Sequence, residues 1–226
     1  MEAVNIYTMY PVHLILDKIK KDEIYPTQFI ALSNGFAVTT NGSAIVRAAF
    51  EPDLTEMIEA RELDERKEYF IDVIAYERMW KAFKASKEFL KVDVWTQEGE
   101  LYSDENSVQQ RANDNFYLGF LEGCGTYTTV KVFNNSDLAR ITVSKAGYPY
   151  WQRVWNDVAD QQMLAPIEGF SIDSEFTEKI IKCFDKPYAL NFLVSESSKA
   201  VKIVSGENSA ILMPILQQIK IEFPNV

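Results

Sequence analysis

One histidine, two cysteines, nine glycines and eight prolines in 226 residues exclude several common chemistries. His13 alone cannot build most zinc sites and leaves little for histidine-based acid–base catalysis. Cys124 and Cys183 make no disulfide framework, and neither stands at a metal-ligand spacing; a Cys–His nucleophile pair is arithmetically possible but has no other support. Gly119, Gly123 and Gly125 fit neither G-x-x-x-x-G-K-S/T nor G-x-G-x-x-G, so no phosphate-cradling loop is expected. No apolar run approaches the ~20 residues of a membrane-spanning helix, and residues 1–5 lack the basic and apolar pattern of a signal peptide. The expectation is a cytoplasmic protein with no membrane partner, no metal, no cofactor and no catalytic residues. An enzyme working through Asp and Glu is the weaker reading, because no carboxylates pair at a convincing spacing.

What is present is the composition of a folded domain, 47% apolar and 25% charged. Three amphipathic helices are predicted. The first spans about 11–21, with Leu14, Ile15 and Ile19 as its stripe. The second spans about 75–87, with Met79, Trp80 and Phe83. The third spans about 174–184, with Ser174 as cap and Phe176, Ile180, Ile181 and Phe184 buried. Residues 151–160 are a further helical candidate. Alternating or β-branched runs predict strands at 29–32, 36–40, 44–50, 90–95, 130–133, 140–143, 189–194, 200–204 and 210–216, with Asn34-Gly35 and Asn41-Gly42 as tight turns. Residues 102–115 read as a polar loop.

The chain repeats itself at an offset of 101 residues. Ile71-Asp72 matches Ile172-Asp173, and Glu77-Arg78-Met79-Trp80-Lys81-Ala82-Phe83 matches Glu178-Lys179-Ile180-Ile181-Lys182-Cys183-Phe184. An alternating strand follows each helix. A strand–helix–strand unit therefore occurs twice, and the Pro11 helix with its strands is a candidate third copy.

Net charge is −10, which on average repels nucleic acid and anionic membranes. The charge is segregated, however. Segments 13–21, 76–91 and 176–186 hold 11 basic and 5 acidic residues, leaving 12 basic and 28 acidic elsewhere. Lys18, Lys20, Lys21, Arg78, Lys81, Lys84, Lys179 and Lys182 would project away from the apolar stripes. Such a face is either simply solvated or holds a phosphate backbone without reading bases.

Three segments carry a resemblance to a known family. Residues 32–45 (LSNGFAVTTNGSAI) resemble a strand–turn–strand ending in T-D-G-H-R-L, 148–154 (YPYWQRV) resemble F-P-D-Y-R-R-V, and 210–216 (AILMPIL) resemble V-V-M-P-M-R-L. These motifs, in this order, are those of the sliding clamps, the bacterial DNA polymerase III beta subunit and its phage relatives. The resemblance implies an α+β DNA clamp fold: repeated strand–helix–strand units, antiparallel sheets outside, and helices lining one face. It implies clamp-like domains at 1–145, with an insertion near 97–129, and at 146–226, a shortened second domain with a tail at 217–226.

By the same resemblance the chain would be a DNA polymerase processivity factor, a homo-oligomeric ring of two or three that encircles double-stranded DNA without sequence preference. The eight cations above would face the DNA. DNA polymerase and clamp loader peptides would bind a hydrophobic groove of Thr40, Gly42, Ser43, Ala44, Ile45, Pro149, Val154, Ile211, Met213, Pro214 and Ile215. Leu212 belongs to the same segment, but strand alternation turns it away from Ile211. Asn41, Ser43 and Ala44 replace the family's Asp, His and Arg, removing polar groups from the rim. In the tail, Gln218, Ile221 and Phe223 have the spacing of groove-binding peptides, or alternatively form an added edge strand. The other reading of the whole chain is a non-sliding interaction module, or competitor, that presents the groove without closing a ring.

Overall fold

The computed structural model describes residues 2–16, 24–53, 68–97, 101–103, 109–111, 115–143, 148–159, 163–164, 174–187, 189–195 and 200–212. Their organising element is a leading strand, a helical segment and three further strands, an arrangement that occurs three times, with a 3-10 turn as the helical segment of the first copy. In the first copy β1 (Glu2–Ile6) leads to a 3-10 turn at Val12–Ile15, then to β2 (Phe29–Ser33), β3 (Phe36–Thr40) and β4 (Ala44–Ala49). In the second, β5 (Tyr69–Asp72) runs directly into α1 (Val73–Ser86), followed by β6 (Leu90–Gln97). A small hairpin of β7 (Leu101–Ser103) and β8 (Gln109–Arg111) comes next, then β9 (Asn115–Leu121) and β10 (Tyr127–Asn134). Two helices come after these strands, α2 (Asn135–Ile141) and α3 (Trp151–Ala159). The third copy is β11 (Met163–Leu164), α4 (Ser174–Cys183), β12 (Asn191–Ser195), β13 (Val201–Ser205) and β14 (Asn208–Leu212). Together these form a mixed α and β fold built on one large antiparallel sheet.

The copies interlock through their strands. β1 pairs with β6 of the second copy, and β5 pairs with β2 of the first, so these two exchange their leading strands. β11 instead pairs with β12 of its own copy. The last strands of the first and third copies, β4 and β14, pair antiparallel with Ile45 opposite Ile211. The result is a twelve-stranded sheet in the order β1-β6-β9-β10-β5-β2-β3-β4-β14-β13-β12-β11.

Alternation along the strands sorts apolar residues onto two faces. Ile30, Leu32, Ala37, Val46, Ile71 and Leu212 join one buried cluster, packed against Val12 and Ile15, Tyr76 and Met79 of α1, and Ile180 and Cys183 of α4. Phe29, Ala31, Val38, Ile45, Phe70 and Ile211 join the other, under Leu138 of α2 and Trp151, Trp155 and Val158 of α3. The 3-10 turn, α1 and α4 thus cover one face of the sheet, here called the helix face, and α3 lies on the opposite or outer face. Leu212 does turn away from Ile211.

Local chemistry sets the helix starts. Asp72 caps α1 by accepting from the amides of Ile74 and Ala75 at 3.0 and 3.1 Å. Asn134 caps α2 through the amide of Asp137 at 2.9 Å. This cap overturns the strand expected at 140–143: Arg140 and Ile141 close a helix, with Arg140 paired to Asp137 at 3.3 Å. In the β-branched run Ile141-Thr142-Val143, Ile141 is the last helical residue and Thr142 is its extended C-cap.

The helix expected at 11–21 is corrected too. Its described part is the short 3-10 turn, and Leu16 is already extended. His13 is buried along with Val12 and Ile15, so the turn has no amphipathic stripe of helical length. The polar loop expected at 102–115 contains the small β7–β8 hairpin and the start of β9.

Gly119 in β9 is required by a side chain crossing over it. A methyl group there would overlap the Tyr127 phenol and come within 2.8 Å of Trp95. The phenol donates to Asp93 Oδ2 at 2.9 Å. Alanine normally improves on glycine in a strand. Here Gly119→Ala is expected to displace Tyr127 and cost about 1–3 kcal/mol, measured by urea unfolding. In a Tyr127→Phe background the cost should shrink; an alanine that stabilises the wild-type chain would contradict this packing.

Candidate functional site

Two surfaces carry the residues that the sequence singles out. On the helix face, every described candidate cation has an acidic partner. Arg78 donates from Nε to Glu122 Oε1 at 2.7 Å and from Nη2 to Thr128 Oγ1 at 2.9 Å, which ties α1 to the β9–β10 turn. Lys84 reaches Asp185 at 2.8 Å and joins α1 to the end of α4. Lys81 pairs with Glu77 one turn back, Lys179 with Glu175 at 3.0 Å and Lys182 with Glu178 at 2.6 Å.

These bonds lower the pKa values of several acceptors. Glu122 is lowered chiefly by the Thr128 hydroxyl and then by Arg78, Glu77 by Lys81, and Glu178 by Lys182. Exposed pairs of this kind are worth about 0–1 kcal/mol and exchange readily with other anions. Lys18, Lys20 and Lys21 lie outside the described residues.

His13, in the 3-10 turn of the first unit, packs against α1. It is 7% exposed, with the Tyr76 and Trp80 rings 6.0 and 5.5 Å away. Burial lowers its pKa to about 4, with Glu77 opposing and Lys81 reinforcing that shift. Among the described residues, its Nδ1 and the Trp80 Nε1 are buried without hydrogen-bond partners.

On the outer face the strand pairing brings Thr40 opposite Ile45, and Ile45 opposite Ile211, in one row. All three are buried, at 3%, 5% and 1% exposure. α3 is what covers this region. Trp151 and Trp155 lie edge to face at 6.3 Å within the same cluster, with Val154 and Tyr148 packed against it. Glu68 fastens the start of α3 by accepting from Trp151 Nε1 at 3.2 Å and from Gln152 Nε2. Burial raises the Glu68 pKa against the effect of those two bonds. The Tyr148 hydroxyl donates to the Val38 carbonyl at 3.4 Å, and burial raises its pKa.

Of the proposed groove, then, Thr40, Ile45, Val154 and Ile211 come together on the outer face. Ala44 joins the cluster on the helix face. Gly42 and Ser43 form the β3–β4 turn, where Asn41 Oδ1 accepts from the amides of Ser43 and Ala44. Pro149 is exposed, and its carbonyl accepts from the Trp151 amide at 2.7 Å. Met213, Pro214, Ile215 and the tail at 217–226 lie outside the described residues.

Sequence reasoning missed the outer-face cations Arg47, Lys131 and Lys202, which lie against aromatic rings. Arg47 is 3.4 Å from the Phe36 centroid and 5.7 Å from Trp155, Lys202 is 5.8 Å from Trp155, and Lys131 is 5.3 Å from Phe133. One signal was available: an arginine in the otherwise apolar run of β4, in phase with Ile45. Among the described residues no group of three or more His, Cys, Asp or Glu could hold a metal ion. No helix among them is long and apolar enough to cross a membrane. No protein-family model, curated protein or solved structure matches the chain.

Proposed function

We propose that the chain is a sliding-clamp-like processivity factor of the cytoplasm, with duplex DNA along the helix face and polymerase or clamp-loader peptides on the outer face. The observation that carries the reading is the threefold strand–helix–three-strand unit, with its helical segments on one side of a continuous antiparallel sheet. That arrangement is what the sequence resemblance calls for. Exposed Lys and Arg side chains held by weak surface pairs can trade a carboxylate for a phosphate as DNA slides, since no base is read and no contact is strong.

A second reading has its own support. Each described candidate cation on the helix face already has an acidic partner, and β11 closes on its own unit; both suit an interaction module that does not encircle DNA.

Solution mass and DNA affinity separate the two. The clamp reading expects a homo-oligomer of two or three 25.9 kDa chains and weak duplex binding that falls steeply with salt. The double variant Lys81→Glu, Lys182→Glu should weaken that binding about tenfold or more and flatten the salt slope. A monomer with no salt-dependent DNA affinity would overturn the clamp reading in favour of the module.

A further inference from the structure

The two faces of the sheet treat their cations differently. The described candidate cations on the helix face sit on carboxylates, whereas Arg47 and Lys202 on the outer face share one indole, that of Trp155, and form no ion pair with any described residue. Arg47 is half-buried, and that burial lowers its pKa. A ring can stabilise a guanidinium electrostatically, but it accepts none of the five N–H bonds directed in the guanidinium plane. A partly desolvated cation with open donors is costly alone and favourable once an anion meets it.

Two features specify the anion. The guanidinium lies 3.4 Å from the Phe36 centroid, and no described residue accepts its N–H bonds, which match the two-pronged geometry of a carboxylate. The surroundings are apolar. Arg47 pairs across the sheet with Val38 and Ser209, Ser209 pairs with Val204, and the neighbouring row holds Ile45 and Ile211 beside Lys202. A track for nucleic acid would need a run of cations following successive phosphates. Around Trp155 the described residues offer two, separated by β14. Arg47 on β4 and Lys202 on β13 lie two strands apart and two residues out of line, so they stand about 12 Å apart, close to the span of four residues of extended peptide, whose first and fifth side chains share a face.

We propose that Arg47, Trp155 and Lys202 form a docking site on the outer face for an acidic segment of a partner protein, with two carboxylates four residues apart and an apolar side chain between them on the same face. The site does not require the chain to encircle DNA.

The test uses the full chain and the peptide acetyl-Asp-Ala-Phe-Ala-Asp-amide, with its Asn-for-Asp counterpart as control, followed by chemical shifts of the arginine Nε–H and tryptophan indole protons. The aspartate peptide should bind about tenfold or more tighter than the control and move the Arg47 and Trp155 signals. Arg47→Met should remove about tenfold of that affinity. Lys202→Gln, a change at a partly exposed strand position, should remove about threefold and serves alone if the Arg47 variant misfolds. Equal affinity for the two peptides, absence of binding, or unchanged affinity in the Lys202 variant would overturn the proposal. Tighter binding of oligothymidylate that displaces the peptide from Arg47 would overturn it in favour of nucleic acid.

Discussion

Trp155→Ala is expected to lower the melting temperature by about 10 °C. Trp155 is 8% exposed and packs in the outer-face cluster with Trp151, Ile45 and Ile211. Removing a buried tryptophan costs about 3–5 kcal/mol when the cavity cannot collapse. For a chain of this size each kcal/mol corresponds to about 2–4 °C. Collapse is restricted here, because the sheet below is continuous and the start of α3 is fastened through Glu68. Trp155→Phe should recover most of the loss. Calorimetry checks both, and an unchanged melting temperature in the alanine variant would mean that α3 does not hold to the sheet. The same variant removes the ring between Arg47 and Lys202, so it should also lower affinity for the aspartate peptide.

The second large effect is a loss of stability in mild acid, set by His13. Its folded pKa is about 4, against an ordinary value of 6.5, because burial disfavours the imidazolium. The unfolded chain therefore takes up a proton below about pH 6.5 that the folded chain refuses until about pH 4. Stability from this group is fully present above pH 6.5 and is lost progressively between those two values, by up to about 3 kcal/mol. The groups around it are Tyr76, Glu77, Trp80 and Lys81 of α1. Glu77 favours the charged imidazole, and Lys81 opposes it.

Glu68 acts in the opposite direction, since its raised pKa favours the folded state as pH falls through it. The informative quantity is thus the difference between wild type and His13→Gln. Urea midpoints of the two chains should converge as pH drops from 7 to 4, because only wild type carries the histidine penalty. Parallel curves would show that His13 is not buried neutral.

Much of the architecture could be read from residue order, for reasons that are local. The helices over 75–87 and 174–184 were legible because their apolar residues recur at helical spacing. β3 was legible from its β-branched residues and flanking turns. The 101-residue repeat was legible because the same apolar positions meet the same side of the sheet in both copies.

Other elements were hidden by competing signals. β9 alternates cleanly at Phe116, Leu118 and Phe120, but Tyr117 and Leu121 on its other face are also apolar and blur the period. α2 was disguised because Ile141, Thr142 and Val143 favour strands, while the capping Asn134 lies in the preceding strand.

The convergence of Thr40, Ile45, Val154 and Ile211 was implied by the family resemblance of their three segments. Their burial beneath α3 was not legible, since it depends on how 151–159 packs across β3, β4 and β14, strands far from it in the chain. The pairing of the helix cations was open to inspection in Glu77–Lys81, Glu175–Lys179 and Glu178–Lys182, each four residues apart on one helix. The Arg78–Glu122 and Lys84–Asp185 contacts depend on tertiary structure alone.

The exchange of leading strands between the first two units also bears on how the chain is made. Glu2 of β1 pairs with Val94 of β6, 92 positions later. At about 5–20 residues per second a ribosome needs roughly 5–20 s to supply that partner. During that interval β1 has no place in a sheet, and β2 lacks β5 along one edge. Neither unit can finish alone, so the nascent chain is committed to long-range pairing before its first stable core exists. Such high contact order predicts slow folding and a period of exposed strand edges, when a chaperone that covers β2 would raise the yield of native protein.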